Sequence, residues 1–146
     1  MTPELLTILL AEDDEGHAEL IRLNLSGARV IKQIVHVPDG QEALDYIHRE
    51  GRFVDRPQEP LIALVDIKMP RLDGLEALRQ LKADPRTRMI PVIMLTTTDD
   101  PREVEHCYQL GCNIYITKPV EYELFCLALH ELGLVLQFVA VPIQSS

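Results

Sequence analysis

The chain has 146 residues, of which 47% are hydrophobic and 25% carry a charge. This length suffices for one domain whose core needs no disulfide or metal staple, and the composition excludes a disordered chain. The net charge of −9 disfavours a nucleic-acid surface, which depends on clustered Lys and Arg, and is better suited to metal ions or protein partners.

Short apolar runs alternate with amphipathic segments along the chain, as strands alternate with helices. The first two units are the strand Leu5–Ala11, a helix from Asp14 or Glu15 to about Leu25, the strand Val30–Val37, and a helix capped by Asp39 or Gly40. The next three are the strand Leu61–Val65 with a helix from about Leu72 to Ala83, the strand Pro91–Thr96 with a helix from about Pro101 to Leu110, and the strand Ile114–Thr117 with a helix from about Glu121 to Leu132. Five units in strict alternation predict an α/β fold, with a parallel sheet and helices on both faces.

Two segments depart from this alternation. Residues 49–60 form a long connection rich in Pro and charge, and they are either a surface insertion or part of a partner site. Residues 134–141 are strongly apolar but too few to span a bilayer, so we expect them to pack on the domain or on another chain. We therefore predict a domain at residues 1–133 and an apolar tail at 134–146, which serves as a dimer arm or a packing extension.

Acidic residues follow two of the predicted strands. Glu12 and Asp13 follow the first strand, and Asp66 follows the third. In a parallel sheet the functional site lies beyond the carboxyl ends of the strands. Carboxylates that meet there repel each other unless a cation lies between them, and oxygen ligands favour Mg²⁺. Thr96 and Lys118 follow the fourth and fifth strands, so a hydroxyl and an ammonium are predicted at the same edge.

Each of these residues also has an ordinary structural interpretation. Asp66 could cap a helix, and Lys118 could be a solvated charge at the end of a strand. Thr96 could be an ordinary strand residue. The acids after the first strand suit the first turn of a helix. Their order along the chain and their joint placement at one edge favour the functional interpretation.

The chain resembles the receiver domain of two-component response regulators over residues 5–132. The matching motifs are Glu12-Asp13 after the first strand, Asp66 with Met69-Pro70 and Asp73-Gly74 after the third, Thr96 after the fourth, and Lys118-Pro119 after the fifth. The resemblance implies a flavodoxin-like receiver fold with strand order 2-1-3-4-5.

The resemblance also implies roles for the site residues. Asp66 would accept a phosphoryl group from a phosphohistidine of a partner histidine kinase. Lys118 would pair with one phosphoryl oxygen, and Thr96 would hydrogen-bond another. The implied ligands of Mg²⁺ are Glu12, Asp13, Asp66 and the backbone carbonyl of Lys68.

Further expectations concern the switch and the class of protein. Thr96 and Tyr115 would form the switch that accompanies activation. The peptide bond between Lys118 and Pro119 would be cis. The protein would not be an enzyme beyond its own phosphoryl transfer and a slow autodephosphorylation.

Lys68 departs from the commoner family pattern, which often has an uncharged residue two positions after the acceptor. Its ammonium would alter the lifetime of the phosphoryl group or pair with Glu12 when no metal is bound; a solvated lysine is the alternative.

The five histidines, His17 among them, are interpreted as exposed or core residues. The three cysteines are interpreted as buried, reduced thiols, and with no signal-peptide pattern we expect a cytoplasmic protein.

The loops and the tail resemble those of the small response regulators that accompany bacterial phytochromes. This resemblance implies a phytochrome-type histidine kinase as phosphodonor and a homodimer built on the last helix and the tail. Because only 28 residues follow Lys118, output by protein contact is expected, without nucleic acid or membrane. Two alternatives remain: an unphosphorylated receiver-like binding module, and a phosphatase with an Asp nucleophile. The phosphatase is disfavoured because such enzymes need a second Asp where Lys68 stands.

Overall fold

Five strands form one parallel sheet in this computed structural model, which describes residues 5–139 and 141–142. The strands are β1 (Leu6–Ala11), β2 (Ile31–Val37), β3 (Leu61–Val65), β4 (Val92–Thr96) and β5 (Ile114–Thr117). The helices are α1 (Glu15–Leu25), α2 (Gly40–His48), α3 (Gly74–Ala83), α4 (Pro101–Leu110) and α5 (Tyr122–Leu136), with a short 3₁₀ helix at Gly51–Phe53. The order β2-β1-β3-β4-β5 and the parallel pairing confirm the predicted fold.

Helices cover both faces of the sheet, so the central strands β1, β3 and β4 are buried along their whole length. Alternate side chains of a strand point to opposite faces. One set packs against α2, α3 and Cys107 of α4, and the other set packs against α1 and α5. The carboxyl edge of the sheet is therefore where the central strands deliver polar side chains toward solvent.

Aspartate side chains cap the N-termini of four of the five helices. The side chains of Asp14, Asp39, Asp73 and Asp100 each accept a hydrogen bond from a backbone N–H in the first turn of α1, α2, α3 and α4. Each bond satisfies a donor that the helix itself leaves unpaired. These caps place the beginnings of the helices at the same edge as the ends of the strands.

The last helix is longer than predicted. It ends at Leu136 and not at about Leu132, because Gly133 does not break it: the helix is packed there against Leu25 and Ala28, and Leu136 is buried. The proposed boundary after residue 133 therefore falls inside α5. Residue 140 and residues 143–146 of the proposed tail lie outside the described residues. The described part of the chain contains no helix with the length and apolarity needed to cross a bilayer.

The bond between Lys118 and Pro119 is trans, so the predicted cis bond is wrong. The preference of a peptide bond before proline for trans is only about 0.5–1 kcal/mol, and the surroundings decide between the two forms. The trans form is compatible with the hydrogen bond of 2.6 Å that the Lys118 N–H donates to the Thr96 carbonyl.

The connection at residues 49–60 is tied to α2. The Arg56 guanidinium donates to the backbone carbonyls of Tyr46 (2.5 Å) and Ile47 (3.0 Å), which are near the end of the helix. The Tyr46 hydroxyl donates to Glu59 Oε1 (2.9 Å). The connection thus supplies hydrogen-bond donors to carbonyls near the end of α2.

Gly74 allows the turn after β3 to approach the start of α3. Its N–H donates to the Ile67 carbonyl at 2.7 Å, and a Cβ at this position would lie 2.0 Å from the Asp66 carbonyl oxygen. No side chain fits without a movement of the backbone next to Asp66.

We predict that Gly74→Ala lowers the free energy of unfolding by about 1–3 kcal/mol, because an atom is forced into a filled space. Urea unfolding followed by circular dichroism measures the change. Gly27→Ala is the matched control, since a Cβ there meets nothing within 4 Å, and we expect a change within about 0.5 kcal/mol. Equal effects of the two substitutions would contradict the steric argument.

Candidate functional site

The predicted site residues meet at the carboxyl edge of the sheet. Ala11 pairs with Val65, so Glu12 and Asp66 leave neighbouring strands at the same level. The Asp66 N–H also donates to the Ala11 carbonyl at 3.0 Å. On the other side, Thr96 ends β4 beside Thr117, and Lys118 follows directly. The backbone register thus brings the acids, the hydroxyl and the ammonium to one edge.

The ammonium of Lys118 lies at the centre of this site. Its side chain is 1% exposed, and its Nζ is 2.5 Å from Glu12 Oε2, 3.1 Å from Asp66 Oδ2 and 3.0 Å from His17 Nδ1. An ammonium group has three N–H donors, and each of them has an acceptor here. Lys118 is therefore not the solvated lysine of the ordinary interpretation.

Glu12 is buried, and burial is the main reason that its pKa is raised to about 7. The hydrogen bond from Lys118 opposes this shift. The other oxygen, Oε1, accepts from the Asp14 N–H at 3.1 Å. Burial therefore outweighs the nearby ammonium in setting the pKa of Glu12.

Asp66 is the most accessible member of the ion cluster formed with Glu12 and Lys118. Its side chain is 12% exposed, against 1% for the other two. Oδ1 accepts from the Ile67 N–H at 2.7 Å, which fixes the carboxylate while Oδ2 contacts Lys118. A reactant arriving from solvent reaches Asp66 before it reaches the buried groups.

The carboxylates of Glu12, Asp13 and Asp66 fit a metal ion. One oxygen of each lies within 4.8 Å of the others, and Asp13 is exposed. An open cleft of about 630 Å³ begins beside them, lined by Asp13, Lys68 and Met69 among others. Three carboxylates exceed the single charge of Lys118, and hard oxygen donors in this number suit Mg²⁺.

Lys68 is exposed and forms no ion pair with the described residues. Its predicted pairing with Glu12 does not occur, because the Lys118 ammonium occupies that carboxylate. The Lys68 side chain lies instead at the cleft, within the loop that follows Asp66.

Thr96 and Tyr115, the predicted switch residues, lie on neighbouring strands. Thr96 is 1% exposed at the end of β4. The Tyr115 hydroxyl donates to the Thr98 carbonyl at 2.5 Å, and partial burial raises the pKa of this hydroxyl to about 12. Tyr115 is thereby bonded to the loop that follows Thr96.

The chain matches the model of a known family. The family model described as "Response regulator receiver domain" matches residues 8–130. The chain belongs to this family. Receiver domains are phosphoryl-accepting modules of two-component signalling rather than general enzymes; they bind Mg²⁺ or Mn²⁺ at an acidic pocket and interact with histidine kinases.

Phytochrome response regulators are among the similar proteins. Rcp1 of Synechocystis sp. is 32% identical over 111 residues, which are 76% of this chain and 75% of Rcp1. The Mn²⁺-bound structure of Rcp1 matches with a TM-score of 0.86 and 27% identity, over 96% of this chain and 99% of that one. The structure of the phosphorylated cyanobacterial phytochrome response regulator RcpA matches with a TM-score of 0.87 and 31% identity, over 93% of this chain and 97% of that one. The bacteriophytochrome response regulator RtBRR matches with a TM-score of 0.74 and 40% identity, over 94% of this chain and 82% of that one.

Sequence reasoning missed one residue at the site of this receiver domain, His17. We interpreted it with the other histidines as an exposed or core residue, yet its Nδ1 contacts the Lys118 ammonium. The available signal was its place in the first turn of a helix that Asp14 caps at the site. A second histidine, His36, has its Nε2 2.7 Å from the Glu12 backbone carbonyl.

Proposed function

We propose that Asp66 is the phosphoryl acceptor of this receiver domain and that the donor is a phosphohistidine of a partner histidine kinase. The observation that carries the proposal is the contact between Asp66 Oδ2 and the buried Lys118 ammonium at 3.1 Å. It combines an accessible carboxylate with a fixed positive charge, which is what a transferring phosphoryl group requires.

In the proposed reaction a carboxylate oxygen of Asp66 forms a bond to phosphorus. The bond between phosphorus and the imidazole nitrogen of the kinase breaks, and its electron pair leaves with the imidazole. Lys118 donates a hydrogen bond to one phosphoryl oxygen, and the Thr96 hydroxyl donates to another. Thr96 and Tyr115 then form the switch, since the Tyr115 hydroxyl is bonded to the loop that follows Thr96.

The proposal includes Mg²⁺, held by Glu12, Asp13, Asp66 and the backbone carbonyl of Lys68. The support for this site is the convergence of the three carboxylates at one edge of the sheet. When bound, Mg²⁺ would neutralise negative charge on the transferring group. The chain itself contributes the carboxylates that hold it and the lysine that shares the charge.

Two features support the proposal against the alternatives. A phosphatase of the kind considered needs an acid two residues after the nucleophile, and Lys68 stands there, exposed. A binding module that is never phosphorylated has no need for a buried ammonium beside an accessible carboxylate. We propose that hydrolysis is limited to slow autodephosphorylation of Asp66.

We further propose a phytochrome-type histidine kinase as donor, a cytoplasmic location, output by protein contact, and no nucleic-acid or membrane partner. Similarity to RcpA and RtBRR supports the kinase. The three free cysteines support the location, and the net charge of −9 supports protein contact over nucleic acid.

A homodimer through α5 and the segment after it is also part of the proposal. Leu124, Leu127, Leu134 and Val135 are each about half exposed. Their spacing places them on one face of α5, and Phe138, 89% exposed, follows the helix. An apolar stripe of this size on a small acidic domain is suited to contact with a second copy.

We predict that incubation with acetyl phosphate and Mg²⁺ adds one phosphoryl group to the protein and that Asp66→Asn adds none. Intact-protein mass spectrometry measures both. Asp55→Asn is the control, because Asp55 is exposed in the connection outside the site, and it should react as the unmodified chain does. A phosphoryl group retained in Asp66→Asn would contradict the assignment.

We predict that Lys68→Asn shortens the lifetime of the phosphorylated protein about threefold. An exposed ammonium in the loop that follows Asp66 would contribute the modest attraction of a surface ion pair to the phosphoryl group, and its loss would leave the group more open to water. The decay is measured by mass spectrometry after removal of the donor. Lys32→Asn, on β2, is the control; an unchanged decay rate in Lys68→Asn would contradict a role for this residue.

We predict a dimer mass by light scattering at micromolar concentration and a monomer mass for Leu127→Asp. A carboxylate in the middle of an apolar contact loses its water without gaining a partner. Met89→Asp changes an apolar residue that is 68% exposed outside α5, and should leave the dimer intact. A monomer mass for the unmodified chain would overturn the proposed interface.

A further inference from the structure

His17 is the one partner of the Lys118 ammonium to which neither the resemblance nor the proposed function gives a role. We propose that His17 is a positioning residue for phosphoryl transfer, whose Nδ1 holds the Lys118 ammonium beside Asp66. This inference rests on the proposed function of Asp66 and adds a residue to its machinery.

The direction of the hydrogen bond follows from the chemistry of the two groups. An ammonium donates three hydrogen bonds and accepts none. Two of its donors go to Glu12 and Asp66, so the third goes to His17 Nδ1 at 3.0 Å. The imidazole must then accept at Nδ1 and carry its proton on Nε2.

One contact holds the backbone of His17, and another holds its ring. Its backbone N–H donates to the side chain of Asp14 at 3.0 Å, which places the residue in the first turn of α1. Its ring packs on Phe125 of α5, with the centroids 5.8 Å apart and the planes tilted by 50°. A fixed acceptor can hold a long lysine side chain in one place, whereas a flexible one cannot.

The bond to His17 matters when Asp66 is modified. Lys118 must then redirect a donor from the Asp66 carboxylate to a phosphoryl oxygen. Glu12 alone would leave the ammonium free to turn about a single contact. With His17 as a second fixed acceptor, the nitrogen stays between α1 and the acids, and its third donor is aimed at Asp66.

The competing interpretation is that His17 only packs between α1 and α5. Two substitutions separate the alternatives because each keeps one property of the ring and removes the other. His17→Phe keeps an aromatic ring against Phe125 but has no acceptor. His17→Asn loses the ring but carries a side-chain oxygen that can accept at the place of Nδ1.

The experiment measures the rate constant for phosphorylation of Asp66 at saturating acetyl phosphate and Mg²⁺. We expect a fall of about tenfold in His17→Phe, the size of effect that follows loss of a hydrogen bond to a charged group. We expect His17→Asn to stay within about twofold of the unmodified chain, as the lost bond is restored. The donor concentration at half-saturation should not change in either variant.

The opposite pattern overturns the proposal. If His17→Phe reacts as fast as the unmodified chain, or if His17→Asn falls as far as His17→Phe, the ring has only a packing role. His106→Phe is the control for a histidine-to-phenylalanine change, because His106 is exposed on α4. Circular dichroism and the urea midpoint exclude unfolding as the cause of a lost rate.

A second measurement uses the unmodified protein. The ¹⁵N chemical shifts of the His17 ring at about pH 8, where an ordinary histidine is neutral, show which nitrogen carries the proton. A proton on Nε2 supports the proposal, and a proton on Nδ1 overturns it. Failure of the proposed function is separate: the unmodified chain would then take no phosphoryl group on Asp66, whereas failure of this inference leaves that reaction intact and insensitive to His17→Phe.

Discussion

A buried ammonium between two carboxylates is the interaction on which the carboxyl edge of the sheet depends. Removing an ion from water costs on the order of several kcal/mol, and only well-placed partners return that energy. Lys118 therefore requires Glu12 and Asp66 at their observed distances of 2.5 and 3.1 Å. These three residues follow β5, β1 and β3, so the ion cluster requires the correct register of three strands at once.

The charges of the cluster do not balance by themselves. Glu12, Asp13 and Asp66 together carry three negative charges when ionised, and the Lys118 ammonium offsets one of them. The three carboxylates less the one ammonium leave two negative charges, which a divalent cation would neutralise. A phosphoryl group on Asp66 would add further negative charge. A bound divalent cation would therefore offset negative charge both before and after such a modification.

The sequence was sufficient to predict which residues meet at this edge, and insufficient to predict their closest contacts. Buried parallel strands are apolar runs, so the acids and the lysine that end them could be placed from the order of residues alone. The contact of His17 was not predicted, because a place in the first turn of α1 brings the residue near the site without showing that its ring reaches the ammonium. The last helix continues past its predicted end at about Leu132, where it packs against Leu25 and Ala28. The bond before Pro119 depends on an energy difference too small to predict from the two residues.

His17 also joins the site to the helix that carries the exposed apolar stripe. Its Nδ1 contacts Lys118, its ring contacts Phe125, and Phe125 belongs to the core between α1 and α5. The stripe lies on the opposite, exposed side of the same helix. Close-packed interiors respond to displacement by shifting between discrete arrangements rather than by continuous deformation. The contacts from Asp66 through Lys118 and His17 to Phe125 therefore form a continuous series of side chains from the site to α5.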